Sequence, residues 1–196
     1  MQIIKTKKIT KVEILKAAEI IKKGGVVLIP TDTIYGLSAL ATDKKAIKKV
    51  FAIKKRDPKF GFIILVNDIK MAEKYVILRG GEKNELKKIW KKKRPTTVIL
   101  KSRNILPGVI EGKTGNLAIR IPKKKFLLDL IKIVDAPIIS TSANLSGEKN
   151  LESLEKINYY FFRNKPDLVI DVGIVKSKSS KIVDLTDVEN IKIIRG

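Results

Sequence analysis

Gly24-Gly25-Val26-Val27-Leu28-Ile29-Pro30-Thr31-Asp32-Thr33-Ile34-Tyr35-Gly36-Leu37 is the stretch that decides how the chain folds. Val26 to Ile29 is an unbroken apolar run, too short for a helix and without the alternation of a half-exposed strand. It predicts a strand covered on both faces. Pro30, which has no N–H to give a ladder, stops it. Upstream, Thr10 with Glu13 three residues later forms a capping-box pattern, opening a helix whose Ile14, Leu15, Ala18 and Ile21 make one apolar stripe. Gly24-Gly25 ends that helix and turns the chain into the strand.

The same alternation recurs downstream. A helix fits Lys44 to Lys54 after a Thr42 or Asp43 cap, and Phe62 to Val66 reads as a second buried strand. Further helical patterns cover Ile69 to Val76, Glu82 to Trp90, Phe126 to Val134 and Leu151 to Phe162. Strand patterns cover Val98 to Leu100, Leu117 to Ile121, Ile138 to Thr141, Leu168 to Val172, Ile182 to Leu185 and Ile191 to Ile194. Strands interleaved with helices predict an α/β fold around one sizeable sheet. With no repeat, linker or Pro/Gly-rich boundary, residues 1–196 read as one domain.

Composition narrows the chemistry. Lys and Arg number 42 against 20 Asp and Glu, a formal net charge of +22 over 196 residues. Such a charge attracts polyanions, so a nucleic-acid partner is the first expectation. Yet only seven of the basic residues are Arg, and Lys is a point charge without the fork that reads bases, so much of the charge reads as solubilising surface. The densest runs, Lys87 to Arg94 and Lys123 to Lys125, read as a solvated helix face and a turn. Cys and His are absent, which excludes disulfides, thiol nucleophiles, thiolate metal sites and imidazole acid–base catalysis. No protein side chains are assigned to a metal. Met1 to Lys11 is charged and no long uncharged apolar run occurs, so neither a membrane span nor a leader is expected, and the cytoplasm is the expected location.

Five places carry candidate chemistry. Thr31, Thr33 and Tyr35 follow the first strand at i, i+2, i+4 spacing, which places their hydroxyls on one side if the segment stays extended. Lys54 continues the buried stripe of its helix, and with extended backbone into Asp57-Pro58 it projects to the same side as Arg56, forming an anion clamp. Ser140, Ser142, Asn144 and Ser146 share one parity where an apolar strand leaves the sheet. Arg120 lies opposite Leu117, Ile119 and Ile121 on its strand, a costly position unless the guanidinium is paired or ligand-bound. Thr97 opens another strand in a similar way. Gly108 to Thr114 fails as a P-loop because three residues, not four, separate its glycines. Gly112 to Gly115 fails as a KH loop because it leads into a strand.

Taken in order, five segments resemble the YrdC/Sua5 family of threonylcarbamoyl-AMP synthases: Gly24 to Leu37, Lys54-x-Arg56, Arg94 to Leu100, Ala118 to Pro122, and Ser140 to Gly147. The resemblance implies a YrdC-like α/β fold, with a twisted, mostly mixed sheet flanked by helices around a basic cavity. It also implies that L-threonine, bicarbonate and ATP, accompanied by Mg2+, give threonylcarbamoyl-AMP and pyrophosphate. A Kae1/TsaD-type transferase then uses the product for the t6A modification of tRNA. On this resemblance Lys54 and Arg56 are the catalytic charges and bind ATP with Ser140, Ser142 and Asn144. Thr31, Thr33, Tyr35, Thr97 and Arg120 serve threonine and bicarbonate. Many relatives have Pro-Leu where this chain has Gly61-Phe62, and some have a His near Asn67. The extra Sua5 domain of longer relatives is not matched, which leaves Ser177 to Lys181 as a candidate lid. Two alternatives stand beside this reading. One is the related domain of hydrogenase-maturing carbamoyltransferases. The other is a basic module that binds tRNA or double-stranded RNA weakly, with steep salt dependence and no ATP turnover.

Overall fold

The computed structural model describes residues 1–148, 151–154, 157, 161 and 163–196. Strand β1 (Gln2–Lys5) leads into helix α1 (Lys11–Lys22), which starts where its cap is strongest. Thr10 Oγ1 accepts from the Val12 N–H, and the Glu13 carboxylate accepts from the Thr10 N–H at 2.7 Å. Ile14, Ala17, Ala18 and Ile21 face inward, whereas Leu15, expected in the stripe, is exposed. The elements that follow are β2 (Val27–Pro30), β3 (Tyr35–Leu40), α2 (Lys44–Lys54), β4 (Ile63–Leu65), α3 (Ile69–Glu73) and α4 (Gly80–Lys91). The chain continues through β5 (Thr96–Lys101), a 3-10 turn (Gly108–Ile110), β6 (Asn116–Arg120), α5 (Lys125–Val134), β7 (Ile138–Ser142), β8 (Leu168–Asp171), β9 (Lys181–Asp184) and β10 (Lys192–Arg195). The helix expected over Leu151 to Phe162 lies largely outside the described residues.

All ten strands form one mixed sheet in the order β1-β8-β2-β3-β7-β4-β6-β5-β9-β10. Helix α1 packs on α5 and against β2, β3 and β8, while α2 packs on β3. Register across the sheet sets two neighbouring rows of side chains. Ala39, Ile139, Ile64, Ile119, Val98 and Val183 are successive cross-strand partners, and all are buried apolar side chains. One residue along, Ser38, Ser140, Ile63, Ala118 and Ile99 form the second row. Side chains of successive residues point to opposite faces of a sheet, so the second row faces away from the first.

Candidate functional site

Over the second row lies a cavity of about 480 Å³, within the size range of small-molecule sites. Its floor includes Ile63, Ile99, Ala118 and Ser140, and its charged lining residues are Arg56, Lys59, Arg120 and Arg195 against Glu111. Among the described residues the lining is therefore basic.

The β2–β3 hairpin supplies one wall. Pro30 pairs with Tyr35, so Thr31–Ile34 is a tight loop, and the extended segment expected to align three hydroxyls is absent. Thr31 Oγ1 gives its only proton to Ile34 O at 2.6 Å, so Thr33 must be the donor in the 2.9 Å contact between the two hydroxyls. The lone pairs of Thr33 remain for a ligand. Tyr35 corrects the sequence reading. Its hydroxyl donates to Gly173 O at 2.8 Å and accepts from the Val172 N–H at 2.9 Å, and burial pushes its pKa up to about 12. The hydroxyl ties down the chain after β8, while Tyr35 itself remains part of the cavity lining.

The clamp of Lys54 and Arg56 is also corrected. Lys55 caps α2 in the left-handed region (φ 48°), and of the two cations Arg56 lines the cavity while Lys54 does not. Arg56 lines the cavity, its Nε donating to Phe60 O at 3.0 Å and an Nη to Gly61 O at 2.9 Å. The guanidinium carbon stands 5.4 Å from the Phe62 ring centre. Lys54 is 1% exposed and points behind the cavity wall. Its Nζ donates to Ser142 O (2.6 Å), Asn144 O (2.9 Å) and Asn144 Oδ1 (2.9 Å). All three protons are spent. Burial pulls its pKa from 10.5 down to about 7, and the Arg56 charge acts in the same direction. Lys54 thus props the loop that follows β7. Asn144 does the same, its Oδ1 accepting from Ser142 Oγ at 2.5 Å and its Nδ2 donating to Glu148 O at 2.6 Å, which leaves one amide N–H uncommitted. Ser140 and Ser142 line the cavity in front of them.

Arg120 stands at the C-terminal end of β6. It is 4% exposed, lines the cavity, and brings an Nη within 3.2 Å of Asp32 Oδ1, while its Nε has no hydrogen-bond partner. Asp32 Oδ2 accepts from the Lys123 N–H at 3.0 Å. Asn67 follows β4 beside Arg120, since the Val66 N–H donates to Arg120 O. The Asp32 Oδ1 and Asn67 Oδ1 atoms are buried without hydrogen-bond partners as well. The unmatched Arg120 Nε belongs to a cavity-lining residue, whereas Asp32, whose Oδ1 faces the Arg120 charge, and Asn67 lie outside the lining; buried polar atoms without a hydrogen bond are rare and costly.

Arg195 was missed by the sequence reading. It reaches back from β10, donating from Nε to Ser180 O at 2.9 Å and from an Nη to Ser180 Oγ at 3.2 Å. Ser180 Oγ in turn lies 3.0 Å from Thr97 Oγ1, so Thr97 sits one bond behind the cavity rather than in it. An Arg closing a strand, as Arg120 does, was the available signal. Lys59 and the rim around Gly61 were missed too. A Cβ on Gly61 would sit 2.0 Å from Ile110 O, so only glycine fits against the 3-10 turn.

Cations and hydroxyls converging on a cavity over one face of an α/β sheet have the chemistry of a site for small anionic molecules. A family model described as "Telomere recombination", covering Sua5, YciO and YrdC proteins, matches residues 19–196. The chain belongs to this Sua5/YciO/YrdC family. The putative threonylcarbamoyl-AMP synthase of Methanocaldococcus jannaschii is 34% identical over 200 residues, spanning 100% of this chain and 93% of its own length. The threonylcarbamoyl-AMP synthase of Pyrococcus abyssi is 32% identical over 173 residues, covering 87% of this chain but 50% of its own. Among solved structures, P. abyssi Sua5 complexed with L-threonine superposes with a TM-score of 0.84 at 31% identity, covering 95% of this chain and 55% of that one. The chain thus spans about half the length of the Pyrococcus protein.

Proposed function

We propose that this chain is an L-threonylcarbamoyladenylate synthase, and hence a nucleotidyltransferase. Arg120 is the observation that carries the reading. A buried guanidinium that lines the cavity and keeps an unpartnered Nε suits the carboxylate of an amino acid. The fold supports the same reading through the likeness to a Sua5 complexed with L-threonine.

The reaction joins the threonine amine to bicarbonate as a carbamate, with loss of water. A carbamate oxygen then attacks the α-phosphorus of ATP, and the bond to the bridging oxygen breaks as pyrophosphate leaves. Anion meets polyanion, so the barrier is chiefly electrostatic and is lowered by fixed cations in a site that limits water. Arg56, Lys59 and Arg195 serve the phosphates, while Thr33, Ser140 and Ser142 orient the reactants. Lys54 and Asn144 hold the wall in place. Mg2+, if bound with ATP, would supply neutralisation of phosphate charge. Glu111, the one carboxylate among the described lining residues, already accepts from Ser102 Oγ at 2.5 Å, so phosphate and water oxygens suit the ion better than a protein cage. The product is a labile mixed anhydride, for which a Kae1/TsaD-type transferase acting on tRNA is the consumer. No helix among the described residues is long and apolar enough to cross a membrane, and a reaction fed by ATP and serving tRNA belongs in the cytoplasm.

The test is pyrophosphate release by purified protein given ATP, Mg2+, L-threonine and bicarbonate, with each omitted in turn. Release that needs all of them is expected. Turnover indifferent to threonine would sink the proposal.

A further inference from the structure

Glu111 is a negative charge in a cationic cavity, and it has no cation of its own. It lines the cavity at 9% exposure, and no ion pair among the described residues includes it. Ser102 Oγ donates to its Oε1 at 2.5 Å and accepts from the Asn104 N–H at 3.0 Å, so the carboxylate is held in place through one oxygen. Oε2 receives no hydrogen bond from a described residue, yet it is not one of the polar atoms sealed from water. Such an oxygen accepts from a neutral or cationic donor on a ligand and repels a phosphate.

The position of Glu111 along the floor decides which part of a ligand it meets. Asn116, Ala118 and Arg120 alternate with Leu117 and Ile119, so these three share the cavity face of β6. At about 3.3 Å per residue, Asn116 and Arg120 stand roughly 13 Å apart. Glu111 belongs to the Asn116 end. Thr114 Oγ1 donates to Glu111 O at 3.0 Å and accepts from the Asn116 N–H at 3.2 Å, and Ser102 directly follows Lys101, the cross-strand partner of Asn116. Arg120 and Glu111 therefore bound the floor at opposite ends. With its carboxylate on Arg120, threonine keeps its amino group within about 4 Å of that end, far short of Glu111. Through carbamate, α-phosphorus and the sugar, about ten bonds separate the threonine carboxylate carbon from the ribose 3′-oxygen, and an extended chain covers roughly 12 Å in that number. The span of the adenylate thus matches the floor and brings its sugar to the carboxylate. We infer that Glu111 selects the sugar of the nucleotide, accepting from the ribose hydroxyls, so that ribonucleoside triphosphates bind and deoxyribonucleoside triphosphates are rejected. The inference rests on the synthase reading, which places the threonine carboxylate at Arg120.

The experiment is titration calorimetry of the protein with ATP, 2′-deoxyATP, 2′,3′-dideoxyATP and ITP, in Mg2+ and without threonine or bicarbonate. A hydroxyl that donates to a carboxylate makes a charge-assisted bond, so wild type is expected to prefer ATP to the deoxy analogues by about 10- to 100-fold. In Glu111→Ala and Glu111→Gln the preference is expected to fall below about threefold. Loss of a negative charge strengthens every triphosphate alike, so the ratio of affinities, not either affinity alone, is the readout. ITP keeps the ribose and lacks the adenine amino group, and its ratio to ATP is expected to be the same in all three proteins. Glu111→Gln keeps the side-chain shape and an oxygen for Ser102, so it decides the matter alone if the Ala variant melts. Equal wild-type affinity for ATP and its deoxy analogues, no measurable ATP binding, a wild-type ratio in the variants, or a change in the ITP ratio instead would each overturn the inference. Failure of the synthase reading shows separately, as pyrophosphate release indifferent to threonine, and leaves a sugar preference that depends on Glu111 standing.

Discussion

The two neighbouring rows across the sheet differ by one residue in register and by everything in their demands. Ala39, Ile139, Ile64, Ile119, Val98 and Val183 are buried apolar side chains, and their face is filled. In the other row Ser38, Ser140 and Ala118 are small or polar beside Ile63 and Ile99, and the space above Ser140, Ile63, Ala118 and Ile99 is the cavity. A strand in the centre of this sheet therefore obeys two rules at once. One parity maximises contact, and the other leaves room, at the cost of a buried Ser38 hydroxyl with no partner.

The sharpest way to break this contrast is at Arg120, the charge on the open face. Arg120→Met is expected to reduce threonine-dependent pyrophosphate release by about three orders of magnitude. It is also expected to cost roughly 3 kcal/mol of stability, because Asp32 loses its counter-charge. Steady-state rates and a urea melt check both, and a variant with normal rates removes Arg120 from the site. Next comes a matched pair on one strand. Ile119→Ala, on the filled face, is expected to cost about 2–5 kcal/mol of stability with the turnover of folded protein unchanged. Ala118→Leu, on the cavity floor, reverses this, with stability within about 1.5 kcal/mol and substrate affinity lowered roughly a hundredfold. Similar phenotypes from the pair would show that the two faces are not functionally separate.

A smaller effect concerns Lys54. Its pKa is about 7 when folded against 10.5 for the free side chain. Between those values the unfolded chain binds the additional proton, so this group makes stability rise with pH from about 7 toward 10.5. Below about pH 7 both states are protonated and the contribution is flat. Thermal melts from about pH 6 to 9 are expected to show this rise in wild type and to lose it in Lys54→Met, and parallel pH profiles would refute it.

Sequence made the filled face legible and the open face only partly so. Continuous apolar runs such as Val26 to Ile29 and Ile138-Ile139 name their own strands, because burial on both sides demands them. Tyr35–Leu40 escaped notice because Gly36, Ser38 and Ala39 carry little strand propensity. The close approach of a cavity, not local preference, makes small residues right there. Strand β1 was hidden for another reason, since Ile3 and Ile4 stand among charges at an edge where pairing with β8 decides the structure. Residue types at the site were readable, but directions were not. The Tyr35 hydroxyl is taken up by the chain after β8 and the Lys54 ammonium by the loop after β7, and both are tertiary contacts.

The contacts that complete the cavity also constrain when it can exist. Tyr35 is bound to Gly173, Thr97 to Ser180, and Ser180 to Arg195. Joining segments so distant in the chain carries a loop-closure cost before it returns any contact, which slows folding. During synthesis the ribosome must release the polypeptide through Arg195 before the basic wall is closed. A nascent chain holding every residue of the hairpin, β6 and β7 therefore still lacks one of the cavity's lining cations and its bonds to Ser180.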